Sequence, residues 1–129
     1  MQRPLVRLVL AVSLDGRLAP ASGGAAQLGG AGDRQVLEQA LAWSDAVLIG
    51  AGTLRAHRCT CLIHEQQLLA QRKQAGRPLQ PAVFVVSRHP DCCQDWPFFQ
   101  QALERHLLTP DQMSAEGFSA THRLHPSWE

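Results

Sequence analysis

Gly50, Ala51, Gly52 and Thr53 follow the apolar run Ala46 to Ile49 and lead into a basic segment, Leu54 to His57. Glycines at such a bend let backbone amides approach a ligand with no Cβ in the way. The Thr53 hydroxyl, the Arg55 guanidinium and the positive end of a following helical turn all suit a phosphate. The chemistry that fits is a backbone cradle for a phosphate-bearing cofactor. A tight strand-to-helix turn uses the same residues, so the bend taken alone carries both readings. A second polar segment, Ser13 to Gly16 ("SLDG"), closes another apolar run, and Asp15 within it suits a turn as well as a catalytic carboxylate. His57, Cys59, Cys61 and His64 offer four nitrogen and sulfur atoms of the kind that hold tetrahedral zinc, with His89, Cys92 and Cys93 further on. The Cys-x-Cys step departs from the usual zinc knuckle and no second knuckle follows. Free thiols and surface imidazoles are therefore expected, with no metal.

These residues need elements to position them. Residues 5–13, "LVRLVLAVS", read as a strand with Leu8, Leu10 and Val12 on one face and Val9 and Ala11 on the other, so that both faces are buried. The stretch 19–32 is glycine-rich and reads as a loop. Asp33 is the expected N-cap of a helix whose stripe runs through Val36, Leu37, Ala40, Leu41 and Ser44. Residues 46–49 and 82–86 read as two further buried strands. A helix is expected over 62–75, stopped by Gly76 and Pro78, and another over 97–106, opened by Pro97. Leu107 to Thr109 begins a fourth strand. Trp43, Trp96, Phe98 and Phe99 are assigned to the core, and Trp128 is expected to dock on the domain from the tail. Alternating strands and helices imply an α/β architecture around a mainly parallel sheet. One α/β domain over 1–109 with an irregular tail over 110–129 is the expected organisation.

Composition narrows the functional classes. The chain has 129 residues and a formal net charge of +1, which excludes a strongly basic nucleic-acid binder. Among its 12 basic residues Lys73 is the sole lysine, leaving guanidinium groups as the cations. No apolar run reaches the roughly 20 residues of a membrane span, and Arg7 and Asp15 break the pattern of a signal peptide. A cytoplasmic protein with reduced cysteines is expected, with neither membrane nor nucleic acid as partner.

In an open parallel sheet, ligands sit at the carboxyl ends of strands. The pair "SLDGRLAPASG" and "SDAVLIGAGTLRAH", with "DR" at 33 and 34 between them, resembles the reductase domain of the riboflavin-biosynthesis protein RibD. The resemblance covers residues 6–57 closely and 78–109 loosely. It implies a dihydrofolate-reductase-like fold and an NADPH-dependent reductase. Such a reductase transfers hydride to the ribosyl C1′ of a phosphorylated pyrimidine, as in 5-amino-6-(5-phosphoribosylamino)uracil reductase. It also implies that Gly50, Ala51, Gly52, Thr53 and Arg55 line the cofactor cleft. Ser13 and Asp15 would lie on the substrate and nicotinamide side, Asp15 orienting polar groups or assisting proton transfer, and Arg34 would reach the substrate phosphate. A homodimer is expected. Three departures stand beside the match. "AAQLGG" replaces a serine-and-tryptophan pattern, "RCTCLIH" replaces an acid-proline pattern, and no later glycine pair for cofactor phosphates follows, Gly117 standing alone. A domain incomplete on its C-terminal side is thus expected. The alternative function is a non-catalytic protein of the same fold that acts through self-association or a partner.

Overall fold

Among the described residues there are four strands: the apolar runs β1 (Ala46–Gly50) and β2 (Ala82–Val86), and the more polar β3 (Arg105–Thr109) and β4 (Ala120–Arg123). All pair in parallel, in the order β1-β2-β3-β4, with Val47 opposite Val83 and Val85 opposite Leu107. The computed structural model describes residues 2–25, 28–89, 94–110 and 115–124. Among these residues, three α-helices accompany the sheet: α1 (Ala31–Trp43), α2 (Ala51–His57) and α3 (Gln66–Gln74). The α/β class and the parallel sheet agree with the sequence pattern.

One face of the sheet is closed. Leu54 from α2, Val83, Val85, Leu107 and Phe98 are buried together, with Val47, Ile49, Trp96, Phe99, Leu103 and Phe118 packed around them. Phe98, Phe99 and Phe118 meet edge-on or tilted, as aromatic quadrupoles favour. The opposite face is less covered than wholly apolar strands predict. Burial alternates along β1 and β2, and Leu48 is 66% exposed. A parallel strand buries both faces only when layers lie on both sides. Here α2 packs on β1 and β2, whereas α1 packs chiefly on α3.

Several expectations are corrected. Residues 5–13 form no strand: Leu5, Val6 and Leu8 are each about four-fifths exposed (80%, 82% and 79%). Strand stability comes from pairing, and no backbone hydrogen bond ties residues 2–12 to the sheet among the described residues. The segment instead rests the Arg7 guanidinium on the Trp43 ring, 4.3 Å from its centre, and Trp43 is 40% exposed rather than core.

The N-cap of α1 is Gly30, and Asp33 lies inside the first turn. The expected helix over 62–75 begins only at Gln66, with Glu65 as N-cap. That over 97–106 shrinks to a 3-10 turn, Pro97–Gln100, because Arg105 and His106 are taken into β3 opposite Val83 and Phe84. Part of the expected irregular tail is strand β4, paired to β3 through His106 and Ala120. Cys92, Cys93 and Trp128 lie outside the described residues.

Candidate functional site

The Gly50–Thr53 bend forms where β1 runs directly into α2 at the carboxyl end of a parallel strand. Ala51 and Leu54 turn inward and are buried, while Gly50, Gly52, Thr53 and Arg55 face solvent. A Cβ added at Gly50 or Gly52 would meet nothing within 4 Å. The bend is therefore an open strip of backbone, and neither glycine is demanded by internal packing or by positive φ. The strip suits a ligand laid against bare peptide, such as a cofactor phosphate. Arg58, at φ 59°, closes α2, and its carbonyl accepts from the Phe98 amide at 3.0 Å.

"SLDG" is a closed turn. The Gly16 amide donates to the Ser13 carbonyl at 2.8 Å, the Ser13 amide donates to the Arg17 carbonyl at 2.9 Å, and Gly16 sits at φ 79°. The Asp15 carboxylate accepts from the Ser13 hydroxyl and from Arg17 Nε, the latter at 3.2 Å. Its side chain is 67% exposed. Ser13 and Asp15 are thus brought together, as the motif predicts, in a turn that local bonds alone can hold.

Arg34 is brought to Glu38, one turn on, at 3.4 Å. Glu38 is the buried partner, and nothing in its local sequence sets it apart from other helical glutamates. Its carboxylate leaves α1 to accept both the His64 and Glu65 amides at 2.8 Å. Those amides stand at the entrance to α3, so Glu38 caps that helix from a distant element. The two backbone bonds hold its carboxyl below the ordinary range, against the opposing effect of burial.

Guanidinium groups that composition suggested for phosphates are here committed to backbone. Arg72, 2% exposed, donates to the carbonyls of Pro78 (2.7 Å), Ala42 (2.9 Å) and Ser44 (2.9 Å). Arg77 donates to the Ser44 carbonyl and to Asp45. These bonds close the carbonyl end of α1, where cations are favoured. Burial lowers the affinity of Arg72 for its proton. Two glutamines do similar work: Gln80 holds the amide and carbonyl of Ile63, and Gln101 those of Thr60. No periodicity marks these two glutamines, because their partners lie 17 and 41 positions away.

A cavity of about 240 Å³ opens between α1 and α3, lined by Gln39, Ala42, Trp43, Leu68, Arg72 and Arg77 among others. None of the site residues expected from the sequence lines it. Cys59 and Cys61 are free thiols, and burial together with the neighbouring Cys59 pushes the Cys61 thiol up. No three metal-ligating side chains converge among the described residues. No described helix is long and apolar enough to cross a membrane.

The sequence profile described as the RibD C-terminal domain matches residues 4–124. No curated protein matches the chain. Among solved structures it is similar to a diaminohydroxyphosphoribosylaminopyrimidine deaminase/5-amino-6-(5-phosphoribosylamino)uracil reductase from Thermotoga maritima. The TM-score there is 0.66 at 16% identity, covering 87% of this chain and 30% of that one. It is also similar to a pyrimidine reductase-like protein from Corynebacterium diphtheriae, with TM-score 0.56 and 21% identity, covering 84% of this chain and 45% of that one. The chain thus spans less than half the length of either structure.

Proposed function

The chain belongs to the RibD C-terminal domain family, and from that premise we propose that it is the nucleotide-binding part of an NADPH-linked reductase. Its substrate class is a phosphorylated pyrimidine bearing a ribosylamino group. The observation that carries the reading is the open backbone at Gly50 and Gly52, at the carboxyl end of β1, where a side chain would meet nothing. Amides of this bend and the Thr53 hydroxyl would hold a cofactor phosphate, with Arg55 adding positive charge. Bound NADPH would supply the hydride, directed at the ribosyl C1′. Asp15, oriented by Ser13 and Arg17, would align a polar group of the substrate. Arg34, whose side chain is 69% exposed, can leave its surface ion pair at little cost to reach a substrate phosphate.

NADPH binding followed by fluorescence titration tests this reading. The wild-type chain is expected to bind, and Gly52→Val to lose binding while keeping its fold, because the new side chain projects into open space. Absence of binding by the wild type, or equal affinity in the variant, would overturn it.

A second reading rests on a different observation. Among the described residues no strand pairs with the outer edge of β1, and the apolar segment Leu5–Val12 is exposed. Unpaired edges recruit strands, which favours a non-catalytic protein of this fold that self-associates, in the first instance as a homodimer. Sedimentation of the full chain decides it. A dimer converted to monomer by Leu48→Lys supports association through β1, and a monomeric wild type removes it.

A further inference from the structure

On the less covered face of the sheet, three side chains from β3, β4 and the turn before β3 form a line. His106 Nε2 lies 2.8 Å from Glu104 Oε1, and His106 Nδ1 lies 3.0 Å from His122 Nε2. The Phe84 ring stacks on His106 at 4.4 Å with an interplanar angle of 6°, and on His122 at 5.8 Å. The sheet register places this group: Phe84 pairs with His106, and His122 stands two residues beyond Ala120, the partner of His106.

A carboxylate only accepts, so His106 donates its Nε2–H to Glu104, and in the neutral ring Nδ1 is left as an acceptor facing His122. A carboxylate that fixes the tautomer of an imidazole, leaving the other nitrogen free, is the usual outer support of a metal-ligating histidine. We propose that His106 Nδ1 and His122 Nε2 form a two-imidazole site for a late divalent transition ion such as Ni²⁺ or Cu²⁺, with Glu104 as its positioning residue.

Ligand type selects the ion class: imidazole nitrogens suit late divalent ions, with Ni²⁺ and Cu²⁺ high in the affinity order. Metal–imidazole bonds of about 2.0–2.1 Å place two nitrogens roughly 3.3 Å apart in a tetrahedron and about 2.9 Å apart in cis positions of a square or octahedron. The observed 3.0 Å separation is that of the N–H···N bond itself, so both rings turn to aim their lone pairs at one ion. With both rings neutral and no metal bound, Glu104 fixes the His106 tautomer and His122 is the donor of the N–H···N bond. On binding, the His122 proton moves from Nε2 to Nδ1, so the ring stays neutral and the metal takes the vacated lone pair. Water or a ligand fills the remaining positions. His122 is exposed and the site opens to solvent, so the ion has an entry path.

The test is calorimetric titration of the tag-free full chain with Ni²⁺, its thiols first blocked with iodoacetamide so that cysteines cannot compete. The wild type is expected to take up one high-affinity equivalent. His122→Gln should abolish it, and Glu104→Gln should weaken it by about tenfold. Far-UV circular dichroism confirms that each variant is folded. If His122→Gln fails to fold, Glu104→Gln, altered at an exposed side chain, carries the test alone. Uptake by folded His122→Gln equal to that of wild type, or unchanged affinity in Glu104→Gln, would overturn the proposal.

Discussion

Glu38→Gln isolates a single charge in an otherwise preserved shape. The carboxylate accepts two buried amides, from His64 and Glu65, at 2.8 Å each. Hydrogen bonds to a charged acceptor contribute about 1.5–3 kcal/mol and neutral ones about 0.5–1.5 kcal/mol. Replacing the charge by an amide therefore costs about 1 kcal/mol per bond. The desolvation relieved by removing a buried charge offsets part of this. The pair with Arg34 adds little, since that arginine is 69% exposed. A net loss of about 1–2 kcal/mol follows, which lowers the melting temperature of a domain this size by roughly 5 °C.

The loss should depend on pH in a defined direction. The folded-state pKa of Glu38 lies below its ordinary value. Its contribution is therefore complete above the unfolded-state value and disappears as pH falls through the lower, folded-state one. Thermal unfolding of both proteins, followed by circular dichroism at pH 7 and at about pH 3, is the assay. The melting curves should differ at neutral pH and converge in acid. Equal melting temperatures at pH 7, or a gap that persists undiminished at acid pH, would refute the assignment of Glu38 as a charged cap of α3.

Two further substitutions probe the frame around the site. Arg72→Met keeps the apolar stem but strands the Pro78 carbonyl, while Arg77 still serves Ser44; a loss of about 1–3 kcal/mol in denaturant unfolding is expected. Gly117→Ala is expected to destabilise by about 2–4 kcal/mol in the same assay. The residue sits at φ 85°, and its new Cβ would fall 2.6 Å from the Phe99 ring.

The parts of this protein that were legible from sequence are those governed by neighbours along the chain. Ala46–Ile49 and Ala82–Val86 are strands because short apolar runs bounded by turn residues have few other fates. The "SLDG" turn closes on its own hydrogen bonds, and the Gly50–Thr53 bend follows from where β1 stops and α2 starts. The resemblance carried by those two segments led to the right family.

Tertiary structure decided whatever depends on a distant partner. Residues 5–13 have the composition of a strand, but among the described residues no neighbouring strand bonds to them, and their apolar side chains stay exposed. Glu38 resembles any helical glutamate until α3 arrives to use its charge, and Arg105 and His106 leave a plausible helix because β2 offers them a ladder. His106 and His122 become a pair only because parallel register sets β4 beside β3. Hydrogen bonds and burial are settled by pairing across space, and a pattern of residue types records the capacity for such pairing without naming the partner.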